Sequence, residues 1–255
     1  MPDFSTPGIL LRRIEHGDYD LILTFLTKDS GKLSVMAKYA RKSVKRFSGV
    51  LELFYVLDLV CSASKGKLPI LKEAGLRQPF YEIRKNIENT AYASYWAQLV
   101  HQWMEDGQKE TRLYELLLHV LNSLDENSCE KKMLSVLFQM KFLVFSGLTP
   151  NLSQCSRCGK NVRDLRQSRF WFDLARGGLM CKQCASDNSG LSLSLGTIKQ
   201  LRWIGAKPVK MARRVRFSET GIKESLSFLE SFLPFHLGFK PRSLAFLKQI
   251  RDEKI

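Results

Sequence analysis

Six cysteines occur among the 255 residues, and four of them come in two pairs. Cys155-Ser-Arg-Cys158 is followed, after 22 intervening residues, by Cys181-Lys-Gln-Cys184. Two residues between cysteines let a tight turn present both sulfurs to one ion, and two such turns complete a tetrahedral four-thiolate site. Gly159, directly after the first pair, suits a turn of this kind. Four protein ligands leave no position for water, so one structural Zn2+ is expected at Cys155, Cys158, Cys181 and Cys184, not a catalytic ion. The two-plus-two spacing differs from the usual ferredoxin runs, which places an iron–sulfur cluster behind zinc. Cys61 and Cys129 stand among apolar neighbours and read as core thiols.

Phosphate chemistry is the second theme. No acid occurs from Gly31 to Leu51, a run that carries Lys32, Lys38, Arg41, Lys42, Lys45 and Arg46 with Tyr39 and Phe47 interleaved. Cations of this kind neutralise phosphates while aromatic rings offer stacking faces. A second acid-free run carries Lys199, Arg202, Lys207, Lys210, Arg213, Arg214 and Arg216, with Trp203 and Phe217. The DNA-binding residues expected are Lys38, Arg41, Lys42, Lys45 and Arg46 from the first run and Lys207, Lys210, Arg213, Arg214 and Arg216 from the second. Neither run carries a pattern for reading base edges, so binding independent of sequence is expected.

The residues of an enzyme are harder to find. The four histidines, His16, His101, His119 and His236, form neither an HExxH motif nor an HxE placed ahead of a PCxxC motif. There is no P-loop, no GxGxxG and no dense carboxylate cluster for two-metal chemistry. The expectation is therefore a binding protein, not an enzyme. A nuclease whose dispersed acids converge in the fold is the enzymatic alternative.

Elements must hold these groups in place. Gly8–Ile14, Leu21–Lys28, Lys32–Lys38, Leu51–Ser62 and Pro69–Leu76 are apolar-rich runs, several with partial alternation. Turn-like pieces separate them: His16-Gly17-Asp18, Asp29-Ser30-Gly31, the basic loop, and Ser64-Lys65-Gly66-Lys67. Five strands in about 70 residues suit a small barrel, and the five-stranded OB barrel is one such solution. Helical stripes follow over 83–104, 113–124 and 133–145, which would pack as a three-helix bundle. Residues 151–190 hold the cysteines and little helical signal, but Arg169–Phe172 reads as a strand, giving a zinc ribbon. Helical spacing returns over Leu193–Ile204, Thr220–Phe235 and Ser243–Ile250, punctuated by Pro208, Pro234 and Pro241.

The charge follows this division. Forty Lys+Arg against 25 Asp+Glu give +15. Residues 1–80 carry +5, residues 81–150 carry −2, and residues 151–255 carry +12. A surplus so segregated raises the local concentration of polyanions, with nucleic acid ahead of an anionic membrane. Residues 1–13 lack the apolar core of a signal peptide, and no stretch approaches the roughly 18 apolar residues of a membrane span. A cytoplasmic, nucleoid-associated protein without membrane contact is expected. In that reducing compartment the cysteines are not a disulfide framework.

The combined pattern resembles the bacterial RecO recombination-mediator family over nearly the whole chain. Gly17-Asp-Tyr-Asp-Leu-Ile-Leu-Thr-Phe-Leu-Thr27 with Gly31-Lys-Leu, then Ala37-Lys-Tyr-Ala-Arg41 continuing to Phe47, then Phe145-Ser-Gly-Leu-Thr-Pro150 ahead of the first cysteine pair, carry the resemblance. The family reads Ala-Lys-Gly-Ala-Arg at the second motif, and Tyr39 stands in place of the glycine. The resemblance implies an α+β multidomain fold: an OB-fold barrel over 1–80, a helical domain over 81–149, a zinc ribbon over 150–190, and C-terminal helices over 191–255 packing on the helical domain. It also implies a DNA repair and recombination role. That role comprises binding single- and double-stranded DNA, annealing complementary strands, and acting with RecR to load RecA onto strands coated by single-stranded-DNA-binding protein (SSB). Contact with the acidic tail of SSB is implied for the helical region, where Arg112, Lys131 and Lys132 are the candidates. The competing expectations are an RNA-directed barrel-and-ribbon module and an adaptor for acidic protein tails.

Overall fold

The computed structural model describes residues 3–43, 45–47, 49–63, 66–185 and 190–252. They divide into two compact units, residues 1–128 with 245–255, and residues 129–244. Among the described residues no helix is long and apolar enough to cross a membrane.

The first unit opens with β1 (Asp3–His16), β2 (Asp20–Thr27), β3 (Gly31–Ala37), β4 (Val56–Ser62) and β5 (Ile70–Gln78), which close into a barrel in the order β1-β2-β3-β5-β4. Each of the five strands overlaps an apolar run, though β1 begins at Asp3 and Leu51–Tyr55 precede β4 outside any strand, and the closed five-stranded barrel bears out the OB-like expectation. The Ser64-Lys65 part of the expected β4–β5 turn lies outside the described residues. β1 pairs antiparallel with β4 through Asp3–Ile9 and with β2 through Gly8–His16. A register shift between Leu10 and Arg12 bends it from one partner to the other. A parallel pairing of Met36 with Ile70 completes the ring. Leu10, Leu23, Phe25, Val35, Leu57 and Leu71 are fully buried inside it, and each is worth about 1.5–3 kcal/mol by burial.

The first helical stripe is divided into α1 (Tyr81–Lys85) and α2 (Ile87–Trp103). Asn86 ends one and caps the other, its Oδ1 accepting from the Asn89 N–H at 3.0 Å. The Asp125 carboxylate, at the end of α3 (Thr111–Asp125), accepts from the N–H groups of Glu82 and Ile83 and so fixes α1 against α3. Trp96 is wholly buried on α2.

The second unit starts with α4 (Lys131–Phe145), which the stripes group with α2 and α3. It is buried without interruption from Met133 to Leu143, so it needs partners on every side. Within its unit it packs on α5 (Leu195–Ala206), the short α6 (Val209–Ala212) and α7 (Glu219–Leu237). Between α4 and α5 lie β6 (Asn151–Cys155), β7 (Arg169–Asp173), β8 (Gly178–Met180) and β9 (Ser192–Ser194), a sheet in the order β6-β8-β7-β9. Period-2 alternation buries Phe170 and Phe172 of β7. Phe172 meets Phe228 and Phe232 of α7 at centroid distances of 4.6 and 5.5 Å. Pro234 does not end α7, which continues to Leu237. In the last turn a proline removes one N–H bond and leaves the preceding turns intact. α8 (Arg242–Asp252) is the last helix among the described residues.

Candidate metal centre and basic surfaces

The end of β6 supplies Cys155, and the turn after it supplies Cys158. That turn is closed by the Gly159 N–H donating to the Cys155 carbonyl at 2.9 Å, with Gly159 at φ +73. β8 leads directly into Cys181, and the N–H groups of Cys184 and Ala185 both donate to the Cys181 carbonyl at 2.9 Å. Because β6 and β8 are neighbours in the sheet, the two turns lie side by side. The four Sγ atoms are all within 4.8 Å of one another, and Cys158 Sγ lies 3.9 Å from Cys181 Sγ. Four thiolates around one ion at about 2.3 Å stand about 3.8 Å apart, so the donor set fits a closed tetrahedral ion. Burial opposes ionisation of Cys155, but backbone N–H groups of Cys158, Cys181 and Arg157 aimed at it hold its pKa down to about 6. Cys184, sharing hydrogen bonds with Cys181 and partly desolvated, is pushed up to about 12. A divalent cation at the centre of such a set would stabilise all four thiolates. Cys61 and Cys129 lie outside it, and burial raises the pKa of both thiols.

The first basic run leaves β3 at one end of the barrel. Lys38, Arg41, Lys42, Lys45 and Arg46 are exposed, while Ala40 and Phe47 turn inward and join the barrel core. The run is free of acids in sequence but not in space. Arg41 pairs with Glu15 at 3.2 Å and donates to the Asp18 carbonyl, and Asp20 accepts the Tyr39 N–H at 2.7 Å. Arg41 is thereby a brace between the β3–β4 loop and the β1–β2 turn. Arg46 donates to the Lys38 carbonyl and lies over the Phe47 ring. Lys42 sits 3.6 Å above the Tyr19 ring. Among the described residues Lys38, Lys42, Lys45 and Arg46 have no ion-pair partner. The sequence does not mark Tyr19 as a companion of this run, because only the barrel's topology brings residue 19 beside residue 39.

The second basic run begins on one face of α5, where Lys199, Arg202 and Trp203 follow helical spacing. It passes through Lys207 at the end of that helix, Lys210 in α6, then Arg213, Arg214 and Arg216. Lys141, 4% exposed on α4, donates to the carbonyls of Gly205, at 3.0 Å, and Lys207. An ammonium at a helix C-terminus satisfies its orphan carbonyls and complements its dipole. Lys141 therefore fixes the end of α5, from which the later cations of the run depart. Burial pushes its pKa down. None of the seven cations from Lys199 to Arg216 has an ion-pair partner among the described residues.

Residues 1–80 match the family described as Recombination protein O N terminal, and residues 84–245 match that described as Recombination protein O C terminal. The chain belongs to the recombination protein O family. Relatives named DNA repair protein RecO resemble it along almost their whole length. That of Desulfatibacillum aliphaticivorans is 41% identical over 98% of both chains. That of Desulfosudis oleivorans is 39% identical over 98% of this chain and 99% of its own. That of Syntrophus aciditrophicus is 34% identical over 97% and 96%. The boundary between the two family matches, residues 80 to 84, falls where β5 has ended and α1 begins.

The three residues expected at an acidic tail fall in different units. Arg112 stands at the start of α3 in the first unit, where Glu110 holds its guanidinium through two bonds of 2.8 and 2.6 Å. Lys131 and Lys132, both half-buried, open α4 in the second unit.

Proposed function

We propose that this protein is a DNA repair and recombination mediator of the RecO type. It binds single- and double-stranded DNA without sequence preference and anneals complementary strands. With RecR it helps load RecA onto strands coated by SSB, whose acidic tail it contacts. The observation that carries this reading is the match to the family over both halves of the chain, joined to two basic segments that keep most of their cations unpaired. The barrel, residues 1–80, supplies Lys38, Lys42, Lys45 and Arg46 around an aromatic pair, with Arg41 bracing the loop. The C-terminal region supplies Lys207, Lys210, Arg213, Arg214 and Arg216.

The physical basis is electrostatic. Complementary strands repel through their phosphates, and two cationic surfaces on one chain screen both strands and raise their local concentration. No nucleotide and no bond chemistry enter this account. The four thiolates hold one Zn2+, which fixes the ribbon's two turns and takes no part in binding DNA directly. Lys141 positions the track that follows α5.

Binding of labelled single-stranded and duplex oligonucleotides across a salt series tests the reading, with matched RNA as competitor. Affinity for both DNA forms that falls steeply with salt is expected. Preference for the RNA competitor would turn the reading to an RNA-directed module. Cleavage of the label in the presence of magnesium would turn it to a nuclease.

A further inference from the structure

Within the second unit a groove of about 460 Å3 lies between the single 3-10 turn Val162–Asp164 and α5. Leu165 and Leu195, both half-buried, give it apolar surface, and Trp203 stands along it, 45% exposed. The charged side chains at it are Arg163, Lys199 and Arg202, and among the described residues no acid lines it. We infer that this groove seats an unpaired nucleobase of a single strand, with Trp203 as the stacking face and Arg163, Lys199 and Arg202 as contacts to the flanking phosphates. The inference deepens the DNA-binding reading and rests on it.

Chemistry narrows the occupant. Three cations without a compensating acid disfavour a cationic or purely apolar ligand. A half-exposed indole beside buried aliphatic carbon favours a flat, partly apolar group, and the cavity falls in the ordinary size range for one. A nucleobase with its phosphates combines both demands, and stacking on an aromatic ring tolerates any base. Duplex DNA keeps its bases stacked against one another and offers the indole no free face. Lys207 lies 5.0 Å from the Trp203 ring, so a fourth cation stands beside the groove's aromatic face. A repeating polyanion such as a single strand suits a segment whose cations continue along the sequence through Lys207, Lys210 and Arg213 better than a short acidic peptide does. Arg163 escaped the sequence reading because it lies 36 residues before Lys199, and only the ribbon's docking on α5 unites them.

The test uses the full chain with its metal, as wild type, Trp203→Ala and Trp203→Phe. Affinities are measured for a short oligo-dT strand, a blunt duplex of equal length and an oligo-aspartate peptide, and tryptophan emission is followed. Trp203→Ala is expected to weaken oligo-dT binding about tenfold while changing duplex binding by less than about twofold, and Trp203→Phe to recover most of the loss. Quenching of wild-type emission by oligo-dT is expected to shrink in Trp203→Phe. Unchanged oligo-dT affinity in Trp203→Ala, with wild-type binding intact, overturns the stacking site and leaves the DNA reading standing. Equal losses on strand and duplex, or a loss confined to the peptide, also overturn it. A wild type that binds neither oligonucleotide overturns the DNA reading and this inference with it.

Discussion

The Tyr39 ring lies stacked on the Tyr19 ring, with centroids 6.3 Å apart and planes 15° from parallel. Tyr39 is 61% exposed and stands at φ +56, the left-handed region where a side chain is strained by about 1–2 kcal/mol. The family motif has glycine there, which adopts this conformation freely. In this chain the ring has been kept against that strain, at the mouth of the barrel and beside Lys42.

Tyr39→Gly separates the two effects. The strain is relieved, so the melting temperature is expected to hold or rise by a few degrees in calorimetry. If the ring is a stacking face, affinity for a single-stranded oligonucleotide falls about five- to tenfold in the same variant.

The cations around that pair have unequal roles. Lys42→Ala combined with Lys45→Ala is expected to lower DNA affinity and reduce the slope of log affinity against log salt by about 1–2. Arg41→Ala is expected to act on the loop: its exposed pair with Glu15 is worth less than about 1 kcal/mol, so a small drop in melting temperature accompanies a weaker effect on the slope. An Arg41→Ala slope change as large as that of the double lysine variant would refute this division.

Replacing Cys155 or Cys181 with serine is expected to reduce bound zinc from one ion per chain to near none. The second unit loses protection in hydrogen exchange, because forming a closed thiolate site is coupled to folding. The barrel's amides keep theirs. Full zinc content in either variant would remove that cysteine from the ligand set.

Glu224 on α7 accepts from Thr197 Oγ1 at 2.6 Å and the Ser194 N–H at 2.9 Å, and pairs with Arg169 at 2.5 Å. Burial opposes its ionisation, but these donors outweigh burial and hold its pKa below the usual glutamate value. The folded carboxylate therefore releases its proton more readily than the unfolded one. Its contribution is present above the ordinary value and is lost as pH falls through the depressed one. Glu224→Gln is expected to cost about 1–3 kcal/mol at neutral pH, and the gap from wild type to close on acidification below about pH 4. Urea titrations at neutral and acid pH measure it.

Gly31→Ala tests the barrel's link to the loop before α3. Gly31 stands at φ +70, and a Cβ there would lie 2.0 Å from the Gln108 carbonyl oxygen. Left-handed strain and overpacking together are expected to cost about 2–4 kcal/mol, read as a lowered urea midpoint.

The strands and the four-cysteine cluster were legible in the sequence for local reasons. Period-2 alternation and turn residues mark β1–β5, and the CxxC spacing encodes the geometry of each thiolate turn. What escaped is set by tertiary approach. The acid-free stretch around Arg41 gains Glu15 and Asp20 only once β1, β2 and β3 have paired. Continuous burial of α4 signals a central helix but not which helices cover it, so grouping it with α2 and α3 followed from order along the chain alone. Lys141 reads as a surface lysine in an apolar helix until α5 ends against it.

Annealing of two complementary oligonucleotides, one pre-coated with SSB and no nucleotide added, tests the central claim most directly. The account predicts acceleration by the zinc-loaded protein that fades as salt is raised. No acceleration by folded, zinc-loaded protein, or acceleration undiminished at high salt, would contradict it.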